Sequence, residues 1–120
     1  MLIRSQDKRM IVNFDNICTV SAFPEKDSED IYVEDGTGSL MVGRYSTKAK
    51  AMKVLDMIQE AYMNFEASKI TSTGLATATC TGSCDTPENV DHGIKVLKGY
   101  VEAIRESAVF QMPEDGSVEV

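Results

Sequence analysis

The chain has 120 residues, of which 42% are hydrophobic and 26% charged, proportions typical of one globular domain rather than a disordered chain. Nineteen acidic and twelve basic residues give a formal net charge of −7 at pH 7, which argues against a general electrostatic grip on DNA or RNA. No apolar run approaches the roughly 18 residues of a membrane span, and the polar start lacks the apolar stretch of a signal peptide. We therefore expect an intracellular protein with no DNA or membrane partner.

The first 45 residues predict strands. Met10–Phe14 and Ile17–Ala22 are β-favouring runs on either side of Asp15-Asn16, a pair that tolerates the backbone conformation of a tight hairpin. Farther on, residues 31–34 and 40–45 are apolar runs separated by a segment with an Asp-Gly turn signal. Residues 1–45 are therefore expected to form a four-stranded antiparallel β-meander made of two hairpins.

Residues 46–107 predict a helical hairpin. Ser46 can cap a first helix of about twenty residues, because the apolar side chains after it recur at helical spacing. Thr86 is a candidate cap for a second helix, with Pro87 at its first position. Its apolar stripe steps by four, three, four and three residues: Val90, Ile94, Leu97, Val101 and Ile104. This second helix is expected to end near Glu106.

Residues 108–120 predict a short strand and an acidic tail. The segment AVFQM favours a strand that stops at Pro113, and a strand placed after two helices must return to a sheet. The sheet can belong to the same chain or to a partner, since exchange between protomers is a low-cost route to a dimer. The whole pattern predicts a single α+β domain.

The segment GLATATCTGSCDTPENV, residues 74–90, is a long run of small residues between the two helices. A structureless loop of this length is uncommon in a compact domain and is usually functional or disordered. We interpret it first as an oligomer contact or a secondary nucleotide site, formed by Thr73, Gly74, Ala76, Thr77 and Ala78. A plain linker, a partly helical corner and a cysteine-based active site are the alternatives.

Candidate catalytic residues are few. The single histidine, His92, lies early in the second helix without a recognised catalytic motif around it. Cys80 and Cys84 with His92 could ligate zinc, but the set lacks a fourth ligand and the usual spacing. A Cys80 nucleophile paired with His92 has no third group to orient it. We expect no enzyme activity, metal or cofactor, and free thiols at all three cysteines, which include Cys18.

Basic side chains suggest an anion site at two places. Arg44 and three lysines (Lys48, Lys50 and Lys53) surround the start of the first helix, where free N–H groups and the helix dipole favour an anion. On the second helix, Lys98 and Arg105 lie seven residues apart on one face with Lys95 alongside, and an arginine suits bidentate binding of phosphate. Solvated helix faces with ordinary ion pairs are the alternative at both places.

Three aromatic side chains at the ends of the predicted elements, Tyr45, Tyr100 and Phe110, could stack on a base or fill the core. Tyr45 and Phe110, together with basic and polar residues near the helix ends, define the candidate ligand-binding set. Its members are Arg44, Tyr45, Asn89, His92, Lys95, Lys98, Arg105 and Phe110.

Three stretches resemble a group of small phage and prophage proteins: IRSQDKRMIVNFDNI at the start, YSTKAKAMKVLDMIQEAY in the first helix and VFQMPEDGSVEV at the end. Within that group the chain is most similar to the first Thoeris anti-defence family. The resemblance implies a phage protein in the host cytoplasm that sequesters a cyclic ADP-ribose isomer without degrading it. It further implies a homo-oligomer, a dimer or hexamer, with pockets between protomers and a second site for cyclic di- or trinucleotides.

An acidic inhibitor that binds a host protein by mimicking nucleic acid is the alternative function, motivated by the net charge of −7 and the acidic tail.

Overall fold

A computed structural model describes residues 1–81 and 87–120, without the side chains of Ser72, Thr73 and residues 75–90. In chain order the elements are β1 (Leu2–Arg4), β2 (Ile11–Asn13), a 3-10 turn (Phe14–Asn16), β3 (Thr19–Pro24), β4 (Glu29–Glu34), β5 (Ser39–Tyr45), α1 (Lys48–Thr81), α2 (Pro87–Ser107), β6 (Val109–Gln111) and a second 3-10 turn (Asp115–Ser117). The strands, the two helices and the final strand confirm the predicted α+β class. No helix in the described ranges is long and apolar enough to cross a bilayer.

The chain divides into two compact units. The first contains Met1–Ala61 and Val109–Val120, and the second contains Tyr62–Ala108. All six described strands and the start of α1 belong to the first unit. The second unit consists of the rest of α1 and the whole of α2. The first unit has the buried apolar core, and the second presents helix surfaces.

The second predicted hairpin is confirmed by β4 and β5. They pair antiparallel, and β3 pairs with β4 on the other side to give a three-stranded meander. The turn needs Gly36 because its φ of 87° lies in the left-handed region that glycine adopts without strain. The Asp35 carboxylate accepts hydrogen bonds from the N–H groups of Thr37 and Gly38, at 2.9 and 3.1 Å, and so holds the turn.

A β-bulge shapes the centre of this meander. Ile31 lies opposite Gly43, but the next residue, Tyr32, lies opposite Met41, so Val42 is the extra residue of β5. Residues of β4 and β5 contribute much of the core of the first unit: Ile31, Val33, Val42 and Tyr45 are all buried.

The first predicted hairpin is wrong. β2 pairs antiparallel with β1, with Ile3 opposite Val12, and it does not pair with β3. The Asp15-Asn16 segment forms a 3-10 turn, in which the Asn13 side chain accepts a hydrogen bond from the Asp15 N–H at 3.1 Å. The chain thereby passes from one sheet to another, and the four-stranded meander is replaced by two three-stranded sheets.

The final strand joins the sheet of its own chain. β6 pairs parallel with β1, with Phe110 opposite Ile3, and the strand order of this sheet is β2-β1-β6. A parallel pair needs a long crossover between its strands. Here the intervening chain contains the other four strands and both helices.

Helix α1 begins one residue after its cap, Thr47, whose hydroxyl accepts the Lys50 N–H at 3.3 Å. The predicted cap, Ser46, is wrong: its N–H and hydroxyl both donate to the Asp115 carboxylate, at 2.7 and 2.9 Å. The helix continues to Thr81, well beyond the expected twenty residues.

The first part of the small-residue segment, residues 74–81, is therefore helical. Alanine is the best helix former, and the single Gly74 costs only about 1 kcal/mol there. Helix α2 begins at Pro87 as predicted, while its expected cap, Thr86, lies outside the described residues.

Candidate functional site

In the described part of the chain, a groove along α2 with a volume of about 330 Å³ brings two of the predicted ligand residues together. Side chains three and four residues apart are neighbours on a helix, which places an apolar strip beside polar groups. The residues that line this α2 groove are Ile94, Leu97, Lys98, Val101, Glu102 and Arg105. Ile94 and Val101 remain 45% and 52% exposed, so a ligand could remove considerable apolar surface from water.

The cations of the α2 groove are available to a ligand. Lys98 and Arg105 are exposed, and within the described residues neither forms an ion pair. Glu102 lies between them on the helix and lines the same groove. The groove thus combines two positively charged hydrogen-bond donors, one acceptor and an apolar wall. These groups are complementary to a phosphate, a hydroxyl and the face of a base or sugar, respectively.

Arg44, another predicted ligand residue, binds the protein's own Asp30. Its Nε and Nη2 donate to the two oxygens of the buried Asp30 carboxylate at 2.9 and 2.8 Å. These bonds, with a third from the Ser28 hydroxyl, hold the pKa of Asp30 below its usual range despite burial. The Gln6 side chain also binds the backbone N–H and carbonyl of Arg44. One edge of the guanidinium is therefore already used.

Tyr45 is a core residue. Its side chain is fully buried, and its hydroxyl donates to the Pro113 carbonyl at 2.9 Å. Burial raises the pKa of this phenol, and the nearby Asp115 carboxylate acts in the same direction. The ring is not exposed for stacking on a ligand, so the core alternative for this aromatic residue agrees with the structure.

The start of α1 already binds a carboxylate from the chain itself. Asp115 accepts hydrogen bonds from Ser46 and from the Lys50 ammonium, the latter at 3.1 Å. The hydrogen bond from the Ser46 N–H, followed by that from Lys50, lowers the pKa of Asp115. The anion expected at this helix end is therefore supplied by the C-terminal segment.

The remaining predicted ligand residues are dispersed. His92 and Lys95 are exposed on α2 outside the lining of the groove, and Phe110 is half-buried in β6 of the first unit. The side chain of Asn89 lies outside the described residues.

Of the residues predicted to form the oligomer contact or secondary nucleotide site, Gly74 is the one that the structure describes in full. It is exposed and lines a depression of about 380 Å³ with Glu66, Lys69 and Ile70. The side chains of Thr73, Ala76, Thr77 and Ala78 are outside the described part of the chain, so their predicted role stays a prediction.

The second unit has a further cleft that sequence reasoning missed. It has a volume of about 350 Å³ and is lined by Asn64, Ala67, Ser68, Thr71, Tyr100 and Ala103. Four of these residues belong to α1, and the predicted helix was too short to bring that part of the chain alongside α2. The sequence signal for this cleft is the small side chains of Ala67, Ser68 and Thr71, which allow two helices to approach closely. These residues show no apolar periodicity, so they did not predict a helix by themselves.

Among the described residues, no group of three or more His, Cys, Asp or Glu side chains could hold a metal ion. Cys18 is an exposed free thiol. Cys84 and the side chain of Cys80 fall outside the described residues, as does any pairing of either with His92.

Comparisons of this chain with protein-family models, with curated proteins and with solved structures found no match.

Proposed function

We propose that this protein is a phage anti-defence protein that binds and sequesters a cyclic nucleotide signal of the cyclic ADP-ribose class without cleaving it. The observation that supports the proposal is the meeting of Lys98 and Arg105 in the α2 groove, beside an apolar strip. The resemblance of three sequence stretches to the first Thoeris anti-defence family supplies the ligand class. We propose the host cytoplasm as its location.

Each part of the groove has a counterpart in such a ligand. Arg105 presents a planar donor fork and Lys98 a compact charge, which together suit the oxygens of a pyrophosphate. Ile94 and Val101 offer an apolar surface to a base or ribose face. Glu102 accepts hydrogen bonds from ribose hydroxyls.

The energies indicate what one groove can achieve. Each charge-assisted hydrogen bond contributes about 1.5–3 kcal/mol, whereas nanomolar capture needs about −12 kcal/mol. Two cations and partial apolar burial on one helix fall short of that value, particularly because both cations are solvent-exposed. We therefore propose that tight capture takes place in a homo-oligomer, a dimer or hexamer, in which a further protomer covers the ligand. Cyclic di- and trinucleotides are the second ligand class to test.

The decisive experiment measures retention and recovery of the ligand. The protein is incubated with a cyclic ADP-ribose isomer, desalted and heat-denatured, and the released small molecules are identified by mass spectrometry. We expect intact ligand in near-stoichiometric amount. Recovery of hydrolysed product alone would show an enzyme, and a host protein retained without any nucleotide would favour the acidic inhibitor.

Matched variants test the groove itself. Lys98→Ala and Arg105→Ala are each expected to weaken retention about 10- to 150-fold, which corresponds to one lost charge-assisted bond. Lys26→Ala removes the same charge from an exposed residue between β3 and β4 and is expected to retain the ligand normally. Equal retention by all three variants would place the site elsewhere.

A further inference from the structure

Strand β3 is a sheet edge that is protected at one end by Pro24. It lies at one end of the order β3-β4-β5, and its six residues, Thr19–Pro24, carry no charge. In the described part of the chain, no backbone hydrogen bond joins its outer edge to another segment. Natural sheets usually protect such an edge with lysine, proline, a bulge or a covering element, since free N–H and carbonyl groups invite another strand. Pro24 protects the end of β3 next to the turn, whereas residues 19–23 carry no charge that would do so.

The hairpin geometry shows which backbone groups point outwards. The Glu25 N–H donates to the Ser28 carbonyl at 2.8 Å and closes the β3–β4 turn. Hydrogen-bonded and non-hydrogen-bonded pairs alternate along antiparallel strands, so the backbone groups of Ser21 and Phe23 face β4. Those of Val20 and Ala22 consequently face the outer edge.

Ser21, near the middle of this strand, has a hydroxyl group without a hydrogen-bond partner. Its Oγ is the one buried side-chain N or O atom in the described residues that has no hydrogen-bond partner. An orphaned buried hydroxyl costs free energy and calls for an explanation. On the same sheet face, Phe23 is 49% exposed and contacts Tyr32 edge-on, with ring centroids 6.0 Å apart.

We propose that β3 pairs antiparallel with β3 of a second copy of this chain, about a two-fold axis that passes through Ser21. In this register Val20 of each copy lies opposite Ala22 of the other, and their outward backbone groups form four hydrogen bonds. Ser21 lies opposite Ser21 of the second copy in a non-hydrogen-bonded pair, where Cα atoms approach to about 4.5 Å. A rotation about χ1 of each Ser21 turns the buried Oγ towards the edge, and the two hydroxyls then bond each other.

The register is specific and self-complementary. Thr19 of each copy lies opposite Phe23 of the other, which covers part of the exposed ring. Side chains alternate between the two faces of a strand, so a shift of the pairing register by one residue would place the outer face of one sheet beside the inner face of the other. The strand has no charge to repel its copy. Because two short strands bury less than a standard interface, the dimer is expected to be concentration-dependent.

Cysteine trapping tests the register. In a chain whose own cysteines (Cys18, Cys80 and Cys84) are replaced by serine, Ser21→Cys should form a covalent dimer under mild oxidation, because the proposed Cα separation suits a disulfide. Thr19→Cys is the matched control: it is more exposed, but it lies opposite Phe23, four residues from its own symmetry mate. We expect Ser21→Cys to cross-link at least about tenfold faster, because pairing raises the effective thiol concentration.

Circular dichroism and thermal melting of both variants establish that each is folded before the rates are compared. Sedimentation equilibrium of the unmodified protein should show a dimer that increases with concentration, and Ser21→Lys should remain monomeric. Equal cross-linking rates for the two cysteine variants would overturn the proposal, and so would a strictly monomeric wild-type protein at millimolar concentration. The proposal does not rest on the ligand groove, so equal cross-linking rates in a protein that still forms an oligomer would leave the nucleotide hypothesis standing. A strictly monomeric protein would, in addition, overturn capture by the homo-oligomer proposed above.

Discussion

Gly43 in β5 is expected to be intolerant of even one added methyl group. A Cβ at this position would lie 2.9 Å from the Met112 Cε and 3.0 Å from the Tyr45 Cε2. Carbon atoms pack comfortably at about 3.5–4.0 Å, so one or both side chains must move by about 0.5 Å or more. Met112 and Tyr45 are both buried, and the Tyr45 hydroxyl is tied to the Pro113 carbonyl.

The size of the effect follows from two opposing terms. Overpacking a filled core costs about 1–3 kcal/mol, whereas replacing glycine with alanine restricts the unfolded chain and returns about 0.4–1 kcal/mol. The two ranges leave a net loss of about 0–2.6 kcal/mol. Because both crowded neighbours are buried, Gly43→Ala should lower the free energy of unfolding by about 1–2.6 kcal/mol. Urea unfolding followed by circular dichroism measures this difference.

A double-mutant cycle with Met112→Ala identifies the cause. Met112→Ala alone should cost about 2–5 kcal/mol because it empties a buried site. In the double variant the methyl group added by Gly43→Ala fills part of that space, so the combined loss should be smaller than the sum by about 0.5–1.5 kcal/mol. Gly116→Ala, with no atom within 4 Å of the added Cβ, is the control and should be neutral or stabilising. A fully additive cycle, or a Gly43→Ala variant as stable as wild type, would refute the packing argument.

Two further predictions concern the polar bonds of the first unit. Tyr45→Phe removes the donor to Pro113 from a buried site and should lower the free energy of unfolding by about 0.5–1.5 kcal/mol, as measured by urea titration at pH 7. Arg44→Gln should destabilise the protein at pH 7, and the difference from wild type should shrink as the pH falls below about 4. The reason is that the folded-state pKa of Asp30 is depressed, so the pair stabilises the fold above the unfolded pKa and is lost as the pH falls through the folded value. A pH-independent Arg44→Gln difference, measured from thermal midpoints between pH 3 and 7, would contradict the role of that pair.

The candidate site was predictable only where local spacing determined it. Lys98 and Arg105 are seven residues apart on an amphipathic helix, and such residues share a face whatever surrounds them. From the sequence, Arg44 and Tyr45 were equally good candidates for ligand binding. Their roles are set by Asp30, 14 residues away, and by Pro113, 68 residues away, and no local pattern reveals those partners.

The sequence by itself determined the α+β class, the Asp-Gly hairpin of β4 and β5 and the start of α2 at Pro87, because turn chemistry, capping and periodicity act within a few residues. The tertiary structure alone decided that the strands divide into two sheets, that β6 returns to β1, and that Asp115 occupies the start of α1. Those outcomes depend on which distant segments can bury apolar surface and satisfy polar groups together. That competition involves the whole chain at once.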